Sequence, residues 1–201
     1  MEIVELTEVN GTPVLVWRLP TPWLAMSSAV LGGGLGERHW VLNATVPNGY
    51  DRLDPDRHLA EIAGALGLQN DGLGFLTAVD VREVQHRTDQ GVHVSVTTGI
   101  GAHPTWAAAP AAVPEPVGTI NAICWLPRRL SPAALVNAVA TVAEAKAQAL
   151  FEAGVPGTGT PTDAVAILCP VEGEPEPFGG PRSLVGGALA RAVHAAIRVR
   201  L

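Results

Sequence analysis

Residues 118–169 read GTINAICWLPRRL (118–130), SPAALVNAVATVAEAKAQALFEAG (131–154) and VPGTGTPTDAVAILC (155–169). The first segment has the β-branched and aromatic composition of a strand and stops at Pro127. The second opens with Ser131 as an N-cap and Pro132 at the first helical position, and closes near Gly154. The third is a Gly/Thr/Pro loop that feeds a second strand, Asp163 to Cys169. Strand, helix and strand with short links predict a βαβ unit with parallel strands and a right-handed crossover. The helix runs back across the sheet, so its C-terminal end lies over the edge where both strands begin. That edge gathers Gly118, Thr119 and Asn121 with Thr158, Thr160, Thr162 and Asp163. At about 100° per residue, Lys146 falls on the stripe of Leu135, Val139, Val142 and Leu150, and Glu144 falls nearly opposite. A lysine there either packs its stem and reaches solvent past the helix end, or enters a polar pocket at the strand edge.

Outward from this unit, Glu2–Val9 and Pro13–Leu19 alternate around Asn10-Gly11, which predicts a hairpin. Pro20 and Pro22 break the pattern, and Leu24–Leu31 reads as a third strand carrying Ser27 and Ser28. Gly32-Gly33-Gly34-Leu35-Gly36 precedes another strand-like run, Arg38–Val46, so it is not a dinucleotide or P-loop fingerprint. It is either a tight turn or a close approach of backbone to a ligand. A helix is expected over 54–67, one or two strands over Gly74–Thr77 and Val79–His86, and a clear strand over Gly91–Gly99. Ile100–Pro116 and Val171–Gly180 read as loops, and Arg182–Leu201 as an amphipathic helix. The fold class is therefore α+β: one domain over 1–201, with a mixed β-sheet covered by helices at 54–67, 131–152 and 182–200.

The chain has 201 residues, 47% hydrophobic and 16% charged, which is globular and large enough for a proper core. A formal charge of −6 and no basic run argue against a nucleic-acid surface. The acidic, strand-like N-terminus is unlike a signal peptide, and no apolar stretch is long enough to span a membrane. Cys124 and Cys169 lie in the two core strands and read as buried reduced thiols of a cytoplasmic protein. His39, His58, His86, His93, His103 and His194 show no HxH, HExxH or CxxC pattern, so no protein metal site and no cofactor are expected. No GxSxG elbow is present. Spacing alone leaves a small-molecule enzyme or binding domain, with Asp163, Lys146, Thr119 and Asn121 as its best site.

Several segments carry a resemblance. SSAVLGGG (27–34), VLN before VP, TAVDV, VTTGIG, GTINAI, the 131–150 helix with its EAK, GTGTPTDAV and the closing GGPRSLVGGALARAVHAAI resemble the CbiZ family of adenosylcobinamide amidohydrolases. The likeness runs from about Ser27 to the final helix. The chain departs from the pattern in the inserted Pro161-Thr162 of GTGTPTDA and in Ala102-His103-Pro104, where Asn before Pro is expected. The resemblance implies hydrolysis of the amide joining the aminopropanol arm to the corrin ring, with adenosylcobyric acid and 1-aminopropan-2-ol as products in corrinoid salvage. A corrinoid-binding module without hydrolysis is the alternative. The corrinoid is then the substrate partner, and the oligomeric state stays open. Amide hydrolysis calls for a base, an acid and oxyanion donors. Asp163 or Asp80 is the candidate base, Lys146 the polarising or acid group, and Asn121 and Thr119 the donors. Substrate contacts are expected from Ser27, Ser28, Gly33, Gly34, Asn43, Gly118, Thr119, Gly157, Thr158, Gly159 and Thr160. A broad, partly apolar cleft is expected between the glycine loops at 32–36 and 157–159.

Overall fold

The computed structural model describes residues 4–101, 104–108 and 118–200. Eight strands form one mixed sheet and three helices cover it: β1 (Val4–Val9), β2 (Thr12–Ser27), β3 (Gly34–Thr45), α1 (Pro55–Ala65), β4 (Gly72–Thr77), β5 (Gln85–Asp89), β6 (Val92–Gly99), β7 (Thr119–Trp125), α2 (Pro132–Glu152), β8 (Ala164–Pro170) and α3 (Leu184–Arg198). The strand order is β4-β3-β2-β8-β7-β6-β5, with β1 also paired to β2. The α+β class stands, and so does the βαβ unit: β7 and β8 are parallel, with Asn121 opposite Ala164. Local chemistry sets the ends of α2. The Ser131 hydroxyl accepts from the Ala134 N–H at 3.2 Å, and Pro132 occupies the first turn. Ser183 caps α3 in the same way, through the Gly186 N–H.

Two expectations along the chain are corrected. Pro20 and Pro22 do not end a strand. They lie in a shift of register between Arg18 and Trp23, within a strand that runs on to Ser27. A bulge is where a strand tolerates residues without an N–H. The strand foreseen over Leu24–Leu31 therefore belongs to β2 and stops earlier. Val79–His86 is not a strand either. The Asp80 carboxylate accepts from the Arg82 N–H and starts a short 3₁₀ turn, Val81–Glu83, before β5. The hairpin β5–β6 turns on Gln90 and Gly91, with positive φ of 46° and 84°, much as β1–β2 turns on Asn10 and Gly11 at 52° and 77°.

The sheet folds back on itself. Four positions along the strand order separate β3 from β6 and three separate β3 from β7, yet the Asn43 side chain of β3 bonds both Thr97 of β6 and Asn121 of β7. In a flat sheet those strands would stand over 10 Å apart. β2 passes through its bulge from one half-sheet to the other. Leu15, Trp17 and Ala25 of β2, Val41 of β3 and Phe75 of β4 pack inside against Ile123, Trp125, Ala166 and Leu168 of β7 and β8. Outside, α1 puts Leu59, Ile62 and Ala63 on Val14, Val16 and Leu42. On the other outer face, α2 and α3 bury Leu135, Val142, Leu150, Leu189 and Val193 against β6, β7 and β8, with Cys124 and Cys169 beneath them. Each such leucine removed from water contributes about 2 kcal/mol before entropy is counted. The helices thus fix the sheet from both sides and leave the two ends of the inner space for other uses.

Candidate active site

The inner space opens at both ends. One opening, of about 600 Å³, is aromatic: Trp23 meets Trp125 edge-on at 5.5 Å, and Trp17 joins them among the lining residues, with His86 and His93 of β5 and β6. The other, of about 580 Å³, lies at the N-terminal end of β7. Its walls are apolar (Val30, Val46, Phe75, Ala78), and Thr77, Thr119, Asn121 and Thr162 supply polar groups. A few convergent polar groups in an apolar cleft are the usual form of a small-molecule site.

Strand periodicity explains that floor. Thr119 and Asn121 share the inner face of β7, and Thr97 opposes Asn121 across the β6–β7 ladder. The Asn121 side-chain amide donates to the Leu76 carbonyl at 2.9 Å and to Asn43 Oδ1 at 3.1 Å. Asn43 in turn donates to Thr97 Oγ1 at 3.1 Å. A carbonyl can only accept, so the Leu76 contact fixes which end of the Asn121 amide is nitrogen. Asn121 Oδ1 then has no partner among the described residues, although Asn121 is only 1% exposed. Beside it, the Thr119 hydroxyl donates to the Thr162 carbonyl at 2.9 Å and lies 2.7 Å from the Thr162 hydroxyl.

Lys146 and Asp163 form an ion pair, with side chains 18% and 14% exposed. The lysine reaches the strand edge and not bulk solvent. The Asp163 carboxylate is filled on every side: Oδ1 accepts from the Ile120 N–H at 2.9 Å and the Thr160 hydroxyl at 2.5 Å, and Oδ2 accepts from the Thr160 N–H at 3.1 Å and from the Lys146 ammonium. The pair lines a smaller space of about 130 Å³ between α2 and the start of β7 and β8. Asn121 is not there. Its side chain leaves β7 on the opposite face, so the single pocket expected for all three residues is two.

Other expected residues divide between the two faces or lie apart. Gly118 is packed, since a Cβ there would sit 2.6 Å from the Gly99 carbonyl, and its own carbonyl accepts from Thr160 and Thr162. A Cβ on Gly159 would collide with Asp163 and Lys146. Gly157 and Thr158 lie under Pro104 and Thr105, with the Thr158 N–H donating to the Thr105 carbonyl at 3.0 Å. Ser27 and Ser28 pin the end of β2 to Val165. Gly33 packs on the Ala29 carbonyl, and Gly34 opens β3 at a φ of +94°. Neither glycine loop lines the cleft, which corrects the expectation that they flank it. Asp80 caps its turn and pairs with Arg82, whose guanidinium holds that carboxyl below its usual range. It lines neither space. His103 lies outside the described residues.

Two residues of the segment before α1 escape the sequence reading. Tyr50 and Arg52 line the cleft, and the Tyr50 hydroxyl lies 3.0 Å from His58 Nδ1, with the two rings stacked. Burial raises the Tyr50 phenol above its usual pKa, so it stays protonated at neutral pH. Arg52 is held by Asp54 and Glu61. The signal available in the sequence was slight: Tyr50 is the one tyrosine of the chain.

Among the described residues no helix is long and apolar enough to cross a membrane. Comparison with known proteins bears on the family. An adenosylcobinamide amidohydrolase of Methanosarcina mazei is 34% identical over 140 residues, spanning 70% of this chain and 66%, just under two thirds, of that protein. One from Halobacterium salinarum is 31% identical over 195 residues, spanning 92% of this chain and 84% of that protein. The crystal structure of the PH0078 protein from Pyrococcus horikoshii OT3 covers 98% of this chain and 80% of its own, at a TM-score of 0.45 and 11% identity, too distant to bear on the site. The family model described as adenosylcobinamide amidohydrolase, CbiZ, matches residues 2–200, and the chain belongs to that family.

Proposed function

We propose that this protein hydrolyses adenosylcobinamide, cleaving the amide between the corrin side chain and its aminopropanol arm to release adenosylcobyric acid and 1-aminopropan-2-ol. The family match and the names of both relatives support the reaction. The observation that carries its placement is the Oδ1 of Asn121, without a partner among the described residues, at the floor of an apolar-walled cleft. At about 580 Å³ the cleft accommodates the amide arm and an edge of the ring, not a whole corrinoid.

In this reading the water oxygen bonds to the amide carbon, the C–N bond breaks, and a proton passes from the water to the departing amine. Asn121 Oδ1 accepts a hydrogen bond from the water or from the substrate N–H and orients it. Thr119 and Thr162, whose hydroxyl protons go to the Thr162 and Gly118 carbonyls, form the polar floor beside it and offer only acceptor lone pairs to the substrate. Tyr50 relays that proton: its hydroxyl protonates the amine, and the proton released by the attacking water returns to the Tyr50 oxygen, which His58 holds in place. Lys146 and Asp163 act at one remove: they tie the end of α2 and the 157–163 loop to β7, and so position Thr119 and Thr162.

Incubation of the purified protein with adenosylcobinamide, followed by chromatography, tests the reading. Equimolar adenosylcobyric acid and 1-aminopropan-2-ol are expected. A spectral change on binding with no product would sink it in favour of a corrinoid-binding module.

A further inference from the structure

The most deeply buried charged residue among the described ones has no part in the hydrolytic reading. Arg38 of β3 is 8% exposed. Its Nε and one terminal nitrogen donate to the Gly32 carbonyl at 3.0 and 2.6 Å, and the other terminal nitrogen donates to the Glu37 carbonyl at 2.8 Å. A guanidinium carries five N–H groups, so two remain without a partner among the described residues. Both acceptors of these three bonds are neutral carbonyls, and no ion pair among the described residues includes Arg38. Carbonyl dipoles soften a buried positive charge but do not neutralise it.

Arg38 borders a crevice of about 440 Å³ between β3, β4 and α1, none of whose lining residues belongs to the cleft at Asn121. The crevice is built around the guanidinium by residues that have no room for a side chain. A Cβ on Gly32 would collide with the Gly72 carbonyl, and one on Gly72 would enter the Trp40 ring. Gly36 presses on Arg38 itself, where a Cβ would lie 2.5 Å from a terminal nitrogen. The opposite wall is aliphatic, from Leu31, Leu68 and the Ala60 and Ala63 face of α1. One acidic side chain, Asp71, also borders the crevice, beyond ion-pair distance of Arg38.

We propose that this crevice binds the carboxylate of a small organic acid, with the head on Arg38 and an apolar body against Leu31, Leu68 and α1. A planar carboxylate matches the two free N–H groups of a fixed guanidinium. Asp71 selects by charge: it tolerates one negative charge beside it and rejects the second charge of a phosphate. The site stands or falls independently of amide hydrolysis.

The test is calorimetric titration and thermal shift with sodium benzoate, acetate and inorganic phosphate at fixed ionic strength. Benzoate is expected to bind and raise the melting temperature, acetate to bind more weakly, and phosphate to bind least. Arg38→Lys should weaken benzoate about ten-fold or more, because an ammonium cannot reproduce the two-point contact. Asp71→Asn should tighten benzoate and admit phosphate while leaving the melting temperature of the free protein unchanged. The proposal is overturned if no anion binds the parent protein or Asp71→Asn. It is equally overturned if benzoate binds Arg38→Lys as well as the parent. A fall in melting temperature for Asp71→Asn without anion binding would make Asp71 the counter-charge of Arg38, and would also overturn it.

Discussion

On the inner face of β7, Asn121 keeps one acceptor free of any partner among the described residues; on the outer face, Asp163 has none left. Both residues sit at the same end of the sheet, a residue or two apart across the β7–β8 ladder. Both are polar groups held in apolar surroundings, and such groups must be hydrogen-bonded. Where every lone pair is taken, the group is a clamp, and a substrate could engage it only by breaking a native bond. Where one is left over and a cleft stands in front of it, the group is available to a ligand. Counting bonds thus separates a structural carboxylate from a working amide, although the sequence places both at the same strand edge.

The largest expected effect attacks the inner face. Asn121→Ala should lower kcat/KM for adenosylcobinamide by about 100- to 1000-fold, the usual cost of a lost transition-state contact. It should also cost about 1–3 kcal/mol of stability, since Asn43 Oδ1 loses its donor. Turnover normalised to the folded fraction by circular dichroism checks this, and near-parental turnover would erase the distinction between the faces. Tyr50→Phe comes next, with a loss of about 100-fold in kcat. Its pH profile carries a sign. The protonated phenol is the active form and burial raises its pKa, so activity should persist at neutral and mildly alkaline pH and fall only as pH rises through that raised value. In the variant the alkaline limb should vanish.

The outer face should answer in stability, not in chemistry. Lys146→Met removes one partner of a mostly buried pair but leaves Asp163 three donors, so a loss of about 2–4 kcal/mol is expected, read as a lower denaturant midpoint. Activity per folded molecule should stay at the parental level. Lost activity at an unchanged midpoint would instead make Lys146 catalytic. The smallest change is Gly159→Ala, which crowds Asp163 and the flexible end of Lys146 and should cost about 1–3 kcal/mol in the same assay.

Much of the fold was legible because local signals agreed. Ser131-Pro132, the apolar period of α2 and the Gly/Thr loop fixed the βαβ unit, and its geometry was enough to bring Lys146 to Asp163 across 17 residues. The same topology failed for Asn121, because it locates the end of a strand and not the face of a side chain. The alternation of β7 decides that, and its partner at that depth is Asn43, 78 residues away. The folding-back of the sheet was illegible for a related reason. It depends on a bulge at Arg18–Trp23, where two prolines read as a strand break. Tyr50 and Arg52 come from an irregular segment, 46–54, and face a cleft that exists only once the sheet has folded back.

Cys124 and Cys169 lie in neighbouring central strands beneath α2 and α3, and burial pushes both thiols above their usual pKa. Alkylating reagents attack the thiolate, so neither sulfur reacts while the helices stay docked. The pair is thus a stopwatch built into one half of the molecule. The rate at which iodoacetamide labels the chain measures how often that half opens. Because β2 belongs to both half-sheets, the rate also records whether the α2–α3 side can come apart before the α1 side does.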